Sequence, residues 1–340
     1  MVEQTAEARA ATLGLTLRTA TRALRIDTAR RRLVTTRGTL RYKALVLAVG
    51  ATQKRVPVPT ASGAETLTVN DLESYRRLRQ RVDGASRRVA IIGAGLIGCE
   101  LAEDLAAGGH AVTLIDQAPQ PLNALVPRPI GVLLAESQHT RGIRFLGDSS
   151  VEGIDAADNG QVVKLTDGRT VPADVVLSAI GLQPVTAMAA KAGIAIGQGV
   201  LANGADMSTS APDVYAVGDC AEVNGSVFSY IEPIQRQAEA VAAALAGDSR
   251  PFVSAPPLVR IKTPSLPLVV CPPSGRSGRW RTVSADGRDW HLEYRSGATL
   301  LGFALSGTCT QRASALYEEV RAAEPVDAAA PAATALSAIG

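Results

Sequence analysis

The sequence predicts an α/β protein of two Rossmann-like, doubly wound domains followed by a small α+β carboxyl-terminal domain. Three observations carry that reading. Between residues 87 and 140 short apolar strands alternate with helical stretches, the β-α-β order that forces parallel pairing and a right-handed crossover. Residues 44–49 are wholly apolar, as strands covered on both faces are, 175–180 read as a closing apolar strand, and the two run into Gly50 and Gly181. Residues 258–307 instead alternate strand and turn, which sets them apart as a third unit.

Taken in order, 15–24 and 32–39 read as meander strands and 44–49 as a buried strand, after which Pro57 and Pro59 break the chain. Asn70-Asp71 caps a helix that reaches Val82. A strand at 89–92, a helix at 96–107, a strand at 111–115 and a helix at 129–140 make the β-α-β run. Hairpins fill 151–171, with Asp158-Asn159-Gly160 and Asp167-Gly168 as their turns, and 175–180 closes the unit. Short strands occupy 196–219, and a helix covers 232–246. Pro251, Pro256 and Pro257 mark a linker, and a last helix spans 311–321. The expected boundaries are 1–84 for part of a first domain, 85–182 for an inserted dinucleotide domain and 183–250 for the return to the first. The carboxyl-terminal domain is 255–324, and the Ala/Pro-rich end, 325–340, is expected to be disordered.

Composition narrows the function. The 340 residues carry 35 Lys+Arg against 32 Asp+Glu, a net +3 that gives no reason to expect nucleic acid. No apolar run approaches the ~18 residues of a membrane span, and residues 1–9 carry acids with no apolar stretch, unlike a signal peptide. Cys99, Cys220, Cys271 and Cys309 stand far apart, which argues against a disulfide scaffold, a zinc site or a dithiol centre and suits a reducing cytoplasm. His110, His139 and His291 are scattered without triad or metal spacing, so no metal is expected.

The strongest motif is Val89-Ala90-Ile91-Ile92-Gly93-Ala94-Gly95-Leu96-Ile97-Gly98. The first glycine makes a tight turn, the second lets backbone approach a pyrophosphate, and the third lets helix meet strand. The pyrophosphate then rests on the free N–H groups of the helix start. Asp116 stands at the tip of the next strand, 23 residues beyond Gly93, where a carboxylate accepts from ribose hydroxyls and repels a 2′-phosphate. Gln117, Ala118 and Pro119 follow with no cation, so NADH is expected over NADPH.

Longer strings surround this motif. They are Leu45-Val46-Leu47-Ala48-Val49-Gly50-Ala51, the run from Gly93 to Ala102, and Ala179-Ile180-Gly181-Leu182-Gln183-Pro184. Further on come Thr209-Ser210-Ala211-Pro212-Asp213-Val214-Tyr215-Ala216-Val217-Gly218-Asp219-Cys220 and Ile261-Lys262-Thr263-Pro264-Ser265-Leu266-Pro267, with Leu300-Leu301-Gly302-Phe303 beyond them. In these the chain resembles the FAD-dependent pyridine nucleotide-disulfide oxidoreductase superfamily, most of all its rubredoxin reductase and ferredoxin reductase branch. The resemblance runs from about residue 14 to 320. It implies NADH at Gly93, Ala94, Gly95, Leu96, Ile97, Gly98, Glu100, Asp116 and Gly181, with Glu100 approaching the nicotinamide. It implies FAD at Gly50, Ala51, Thr52, Gly218, Asp219 and Lys262. Asp219 would accept from the ribityl hydroxyls, the following helix would aim N–H groups at the flavin, and Lys262 would stand near its ring. Hydride transfer then belongs to the cofactors, with Glu100 and Lys262 as possible auxiliaries and no catalytic side chain required.

One departure stands out. Relatives carry a second glycine fingerprint for the ADP half of FAD, whereas residues 1–50 hold only Gly14, Gly38 and Gly50. The expectation is that this unit lies upstream of Met1 or has been lost, leaving apolar sheet surface open. The favoured reading is an NADH-dependent flavoprotein reductase delivering electrons to a rubredoxin-like or ferredoxin-like iron protein. The alternatives are a flavin-free NAD-binding module and a reductase of the same family with another acceptor. Arg260, Lys262, Arg276, Arg279, Arg281 and Arg288 form the candidate basic face for an acidic iron protein.

Overall fold

The computed structural model describes residues 4–253, 255–273 and 275–323; the Ala/Pro-rich end expected to be disordered lies outside them. The chain enters through a helix the sequence pattern did not announce, α1 (Ala6–Leu13), capped by the Thr5 hydroxyl and closed by Gly14 in a left-handed conformation (φ 64°). Residues 15–22 are irregular rather than a strand, with Leu15 and Leu17 61% and 48% exposed. Their apolar–polar alternation suits a strand, but a strand also needs a partner edge, and none of the described residues supplies one. The meander is Ala23–Asp27, Arg32–Thr35 and Gly38–Arg41, all antiparallel, with Ile26 and Leu33 facing inward.

Leu45–Leu47 pairs in parallel with Val214–Ala216 to make a two-stranded sheet. Its core holds Leu47, Val214 and Ala216 with Val241 and Phe252. The expectation that 44–49 is covered on both faces fails here: Val46 and Val49 are 39% and 41% exposed, because only one face of the pair is packed.

The dinucleotide domain is built on a five-stranded parallel sheet in the order Thr66–Leu67, Val175–Ser178, Arg88–Ile92, Ala111–Ile115, Arg144–Leu146. Asp71 caps α2 (Leu72–Val82) in a reciprocal capping box with Ser74. The next helices, α3 (Leu96–Ala107) and α4 (Arg128–His139), lie on the same sheet face as α2, where Leu78, Val82, Ile91, Leu114, Ile130 and Leu134 are buried together. Full burial of each such aliphatic side chain contributes about 1.5–3 kcal/mol. The other face is covered by the antiparallel layer Val151–Ala157, Gly160–Leu165 and Thr170–Ala173. The boundary drawn from sequence at residue 84 therefore moves to about 55, since the Thr66–Leu67 strand and α2 belong to this sheet and its core.

Two crossings join the domains, Ala51–Gln53 and Leu182–Pro184, and they pair antiparallel with each other. The first domain then resumes with α5 (Ala187–Lys191) and, after the Val214–Ala216 strand, α6 (Ile231–Ala246). The carboxyl-terminal domain is an antiparallel sheet in the order Val259–Ile261, Leu268–Cys271, Thr299–Ser306, Asp289–Ser296, Arg279–Asp286. Strand alternation gives this sheet two apolar faces. Val269, Cys271, Phe303 and Leu305 meet α7 (Ala313–Ala323), while Val259, Ile261, Leu268, Val270, Leu292 and Ala304 join the core of the dinucleotide domain.

Candidate dinucleotide and flavin site

The three glycines of the fingerprint differ in what forbids a side chain. Gly93 has φ 108°, and a Cβ there would stand 2.5 Å from the Ala179 carbonyl oxygen. A Cβ on Gly98 would run into the Gly93 carbonyl oxygen, so helix and strand meet only through a bare backbone. Gly95 has φ −73°, open to any residue, and a Cβ would meet nothing within 4 Å. Neither conformation nor packing explains the second glycine, and an open cradle at the amino terminus of α3 is the geometry an incoming pyrophosphate requires.

Ala94, between the first two glycines, is held on both sides. Its N–H donates to Asp116 Oδ2 at 2.5 Å, and its carbonyl accepts from the Leu122 N–H at 2.8 Å and the Cys99 thiol at 3.3 Å. Asp116 also accepts from the Ala118 N–H at 2.8 Å. A carboxylate offers about four lone-pair sites, so Asp116 holds the loop and keeps capacity for a ribose diol. Burial pushes the Cys99 thiol well up, so it is a protonated donor beneath the loop and no nucleophile. Leu122 carries out its part with φ 56°, unusual for a leucine, its side chain 1% exposed. Sequence reasoning missed it, because nothing in a leucine signals positive φ. Gly181, exposed at the end of the closing strand with φ 102°, lies open as well.

Glu100, in the first turns of α3, accepts the Lys262 backbone N–H at 2.8 Å, so two positions far apart in sequence meet. One turn further, the buried Glu103 accepts from the Ser265 N–H at 3.0 Å and from the Ser265 hydroxyl. Neither Glu103 nor Ser265 was singled out from sequence; a helical acid three residues from another reads as a solvated face.

On the flavin side, Gly218 takes φ 77° and its N–H donates to the fully buried Gln237 of α6 at 2.7 Å, a partner the sequence did not disclose. Gly218–Cys220 is one turn of 3₁₀ helix that leads into a strand, Ala221–Val223. The following helix starts at Ile231, within a residue of where the sequence placed it, after a short hairpin has intervened. Asp219 is half-buried, no donor reaches its carboxyl among the described residues, and burial alone raises its pKa. A half-buried carboxyl lacking donors fits a ligand rich in hydroxyls. Gly50 (φ 66°) opens the crossing strand with nothing within 4 Å, and Ala51 and Thr52 follow in that strand.

The candidate basic face divides. Arg279, Arg281 and Arg288 lie at one edge of the carboxyl-terminal sheet, and Arg260 and Lys262 lie at or just beyond the opposite edge strand, four strand spacings or roughly 19 Å away. Arg276 is drawn to the Ala323 carbonyl at 3.0 Å.

Residues 3–247 match the pyridine nucleotide-disulphide oxidoreductase family. The chain belongs to that family. Residues 254–320 match a rubredoxin-binding carboxyl-terminal domain, the unit carrying Lys262 and Ser265. The chain is 37% identical over 316 residues to a rubredoxin-NAD(+) reductase of Alcanivorax borkumensis, covering 92% of this chain and 82% of the relative. It is 40% identical over 271 residues to a rubredoxin-NAD(+) reductase of Acinetobacter baylyi, covering 78% and 68%. Among solved structures, a ferredoxin reductase from Rhodopseudomonas palustris is similar with a TM-score of 0.80 at 26% identity, over 95% of this chain and 86% of that one. As a family member the protein is an α/β oxidoreductase with a Rossmann-like core and a small carboxyl-terminal domain. Among the described residues no helix is long and apolar enough to cross a membrane.

Proposed function

We propose that the protein is an NADH-dependent flavoprotein reductase that passes electrons to a small rubredoxin-like iron protein. Family membership and the rubredoxin-NAD(+) reductases it resembles imply NAD(H) and FAD as cofactors. One observation carries the reading. The helix that opens at the dinucleotide cradle is the one bonded, through Glu100 and Glu103, to the domain that matches rubredoxin binding. When bound, FAD supplies the conversion of a two-electron hydride donor into one-electron steps.

The chain's own residues do the rest. Gly95 leaves room where the first N–H groups of α3 would hold a pyrophosphate. Asp116 orients the adenosine ribose while fixing Ala94. Glu100 holds the turn bearing Lys262 beside the site, and Asp219 would accept hydrogen bonds from hydroxyls of the flavin's side chain. Cytoplasmic placement follows from this reading, through the need for reduced nicotinamide.

Cofactor choice provides a direct test. NADH is expected to bind at least ~1.4 kcal/mol, or tenfold, more tightly than NADPH, measured by fluorescence titration. Asp116→Ala is expected to erase that preference, and because Ala94 loses its acceptor it also weakens both cofactors. Equal affinities in the unmutated protein contradict the assignment.

The acceptor face is tested by charge. Arg279 and Arg281 stand exposed on the sheet's edge strand, so reduction of an acidic iron protein is expected to slow as salt rises. Arg279→Glu with Arg281→Glu is expected to slow that step by about tenfold while NADH reduction of flavin is unchanged. A salt-independent rate places the acceptor elsewhere.

A further inference from the structure

The contact between Glu103 and Ser265 has no place in the dinucleotide cradle or the flavin turn, yet it is a buried polar contact between domains. Glu103 is 6% exposed and Ser265 2% exposed, and both Ser265 donors, the N–H at 3.0 Å and the hydroxyl, go to one carboxyl group. The surrounding turn is stiff. Thr263, 1% exposed, donates its hydroxyl to the Leu266 carbonyl at 2.7 Å, and the Leu266 N–H returns to the Thr263 carbonyl at 3.0 Å. Pro264 and Pro267 fix φ on either side, and Leu266 is fully buried in the core shared with the dinucleotide domain. Within this buried turn Lys262 remains exposed, its backbone tied to Glu100.

Leu266 already packs apolar surface into this interface, and a carboxyl group in such a place costs desolvation that a hydrocarbon does not. What two directional bonds add is register: they fix where the turn sits along α3, and with it where Lys262 emerges. We propose that Glu103 and Ser265 form a positioning pair that sets the Lys262 turn on the dinucleotide helix, holding the cation in place for hydride transfer from NADH. The pair acts through Lys262 and touches no cofactor. This inference rests on the proposed reductase activity and on Lys262 serving the flavin side.

The test uses the full chain with saturating FAD. Glu103→Gln keeps the shape but offers one acceptor oxygen where two are needed, and Ser265→Ala removes only the hydroxyl, a milder change should the first variant fold poorly. Hydrogen exchange at the Lys262 and Ser265 amides is expected to quicken at least about tenfold in Glu103→Gln, with NADH affinity held. The maximal rate of flavin reduction is expected to fall by about tenfold, with KM for NADH unchanged, because the geometry and not the binding is disturbed. Combining both substitutions adds little to the larger single effect. Unchanged amide exchange, or parallel losses in NADH affinity and rate, overturns the positioning pair. Lys262→Met separates the two layers. If it leaves flavin reduction untouched, the role given to Lys262, and the pair's purpose with it, falls, while the exchange data still judge whether the pair holds the turn.

Discussion

The 340-residue polypeptide is expected to purify nearly colourless and to bind added FAD only in the micromolar range, while still binding NADH. In the proposed reading the flavin side is gripped by the Gly218-Asp219 turn and at Gly50. The glycine fingerprint that supplies a pyrophosphate cradle occurs once, at Gly93–Gly98, and there it serves the dinucleotide domain. A second cradle contributes several charge-assisted hydrogen bonds worth about 1.5–3 kcal/mol each, so three at the lower figure separate a nanomolar site from a micromolar one.

The remaining affinity should depend on pH in a definite direction. Asp219 has a raised pKa through burial, and it is the ionised form that accepts ribityl hydroxyl donors most strongly. Flavin binding therefore favours the deprotonated group and releases a proton. Affinity weakens as pH falls through the raised carboxyl pKa and levels off above it. Quenching of FAD fluorescence followed from neutral pH downward into the carboxyl range reports this, and Asp219→Asn is expected to flatten the curve. A stoichiometric, tightly held flavin in the same polypeptide contradicts the account of the first domain.

The second large effect concerns the three glycines, which substitution should separate. Gly95→Val is expected to leave the melting temperature nearly unchanged, since its backbone is ordinary and the space around it is open, and to weaken NADH by at least about 100-fold, or ~2.7 kcal/mol. Gly98→Ala forces a methyl against the Gly93 carbonyl and is expected to destabilise the fold by about 1–3 kcal/mol or more. Gly93→Ala meets both a positive φ and the Ala179 carbonyl and belongs with Gly98. Thermal unfolding and NADH titration together distinguish the cases. Tight NADH binding by Gly95→Val removes the pyrophosphate from that cradle.

The sequence by itself determined the periodic elements and the local chemistry. α3 and the strand Ala111–Ile115 lie where the pattern put them, because apolar period and glycine punctuation are local signals. Asp71 capping α2 was equally legible, since a cap is a contact of three residues. What failed needed a partner. Residues 15–22 alternate like a strand but lie unpaired, and Thr66–Leu67, too short to read alone, became a strand by adding to the edge at Val175–Ser178.

The site divides the same way. The positive φ of Gly93 and the close approach of Gly98 to the Gly93 carbonyl are local features, because a turn and a helix start are fixed within six residues. Only the tertiary structure brought Glu100 to Lys262, Glu103 to Ser265 and Gln237 to Gly218, and it parted Arg260 from Arg279 across a whole sheet. These contacts join positions 19 to 162 residues apart or follow from strand order, and no local pattern encodes either. The type of side chain is written along the chain, whereas which donor meets which acceptor is decided by how the sheets and helices close on one another.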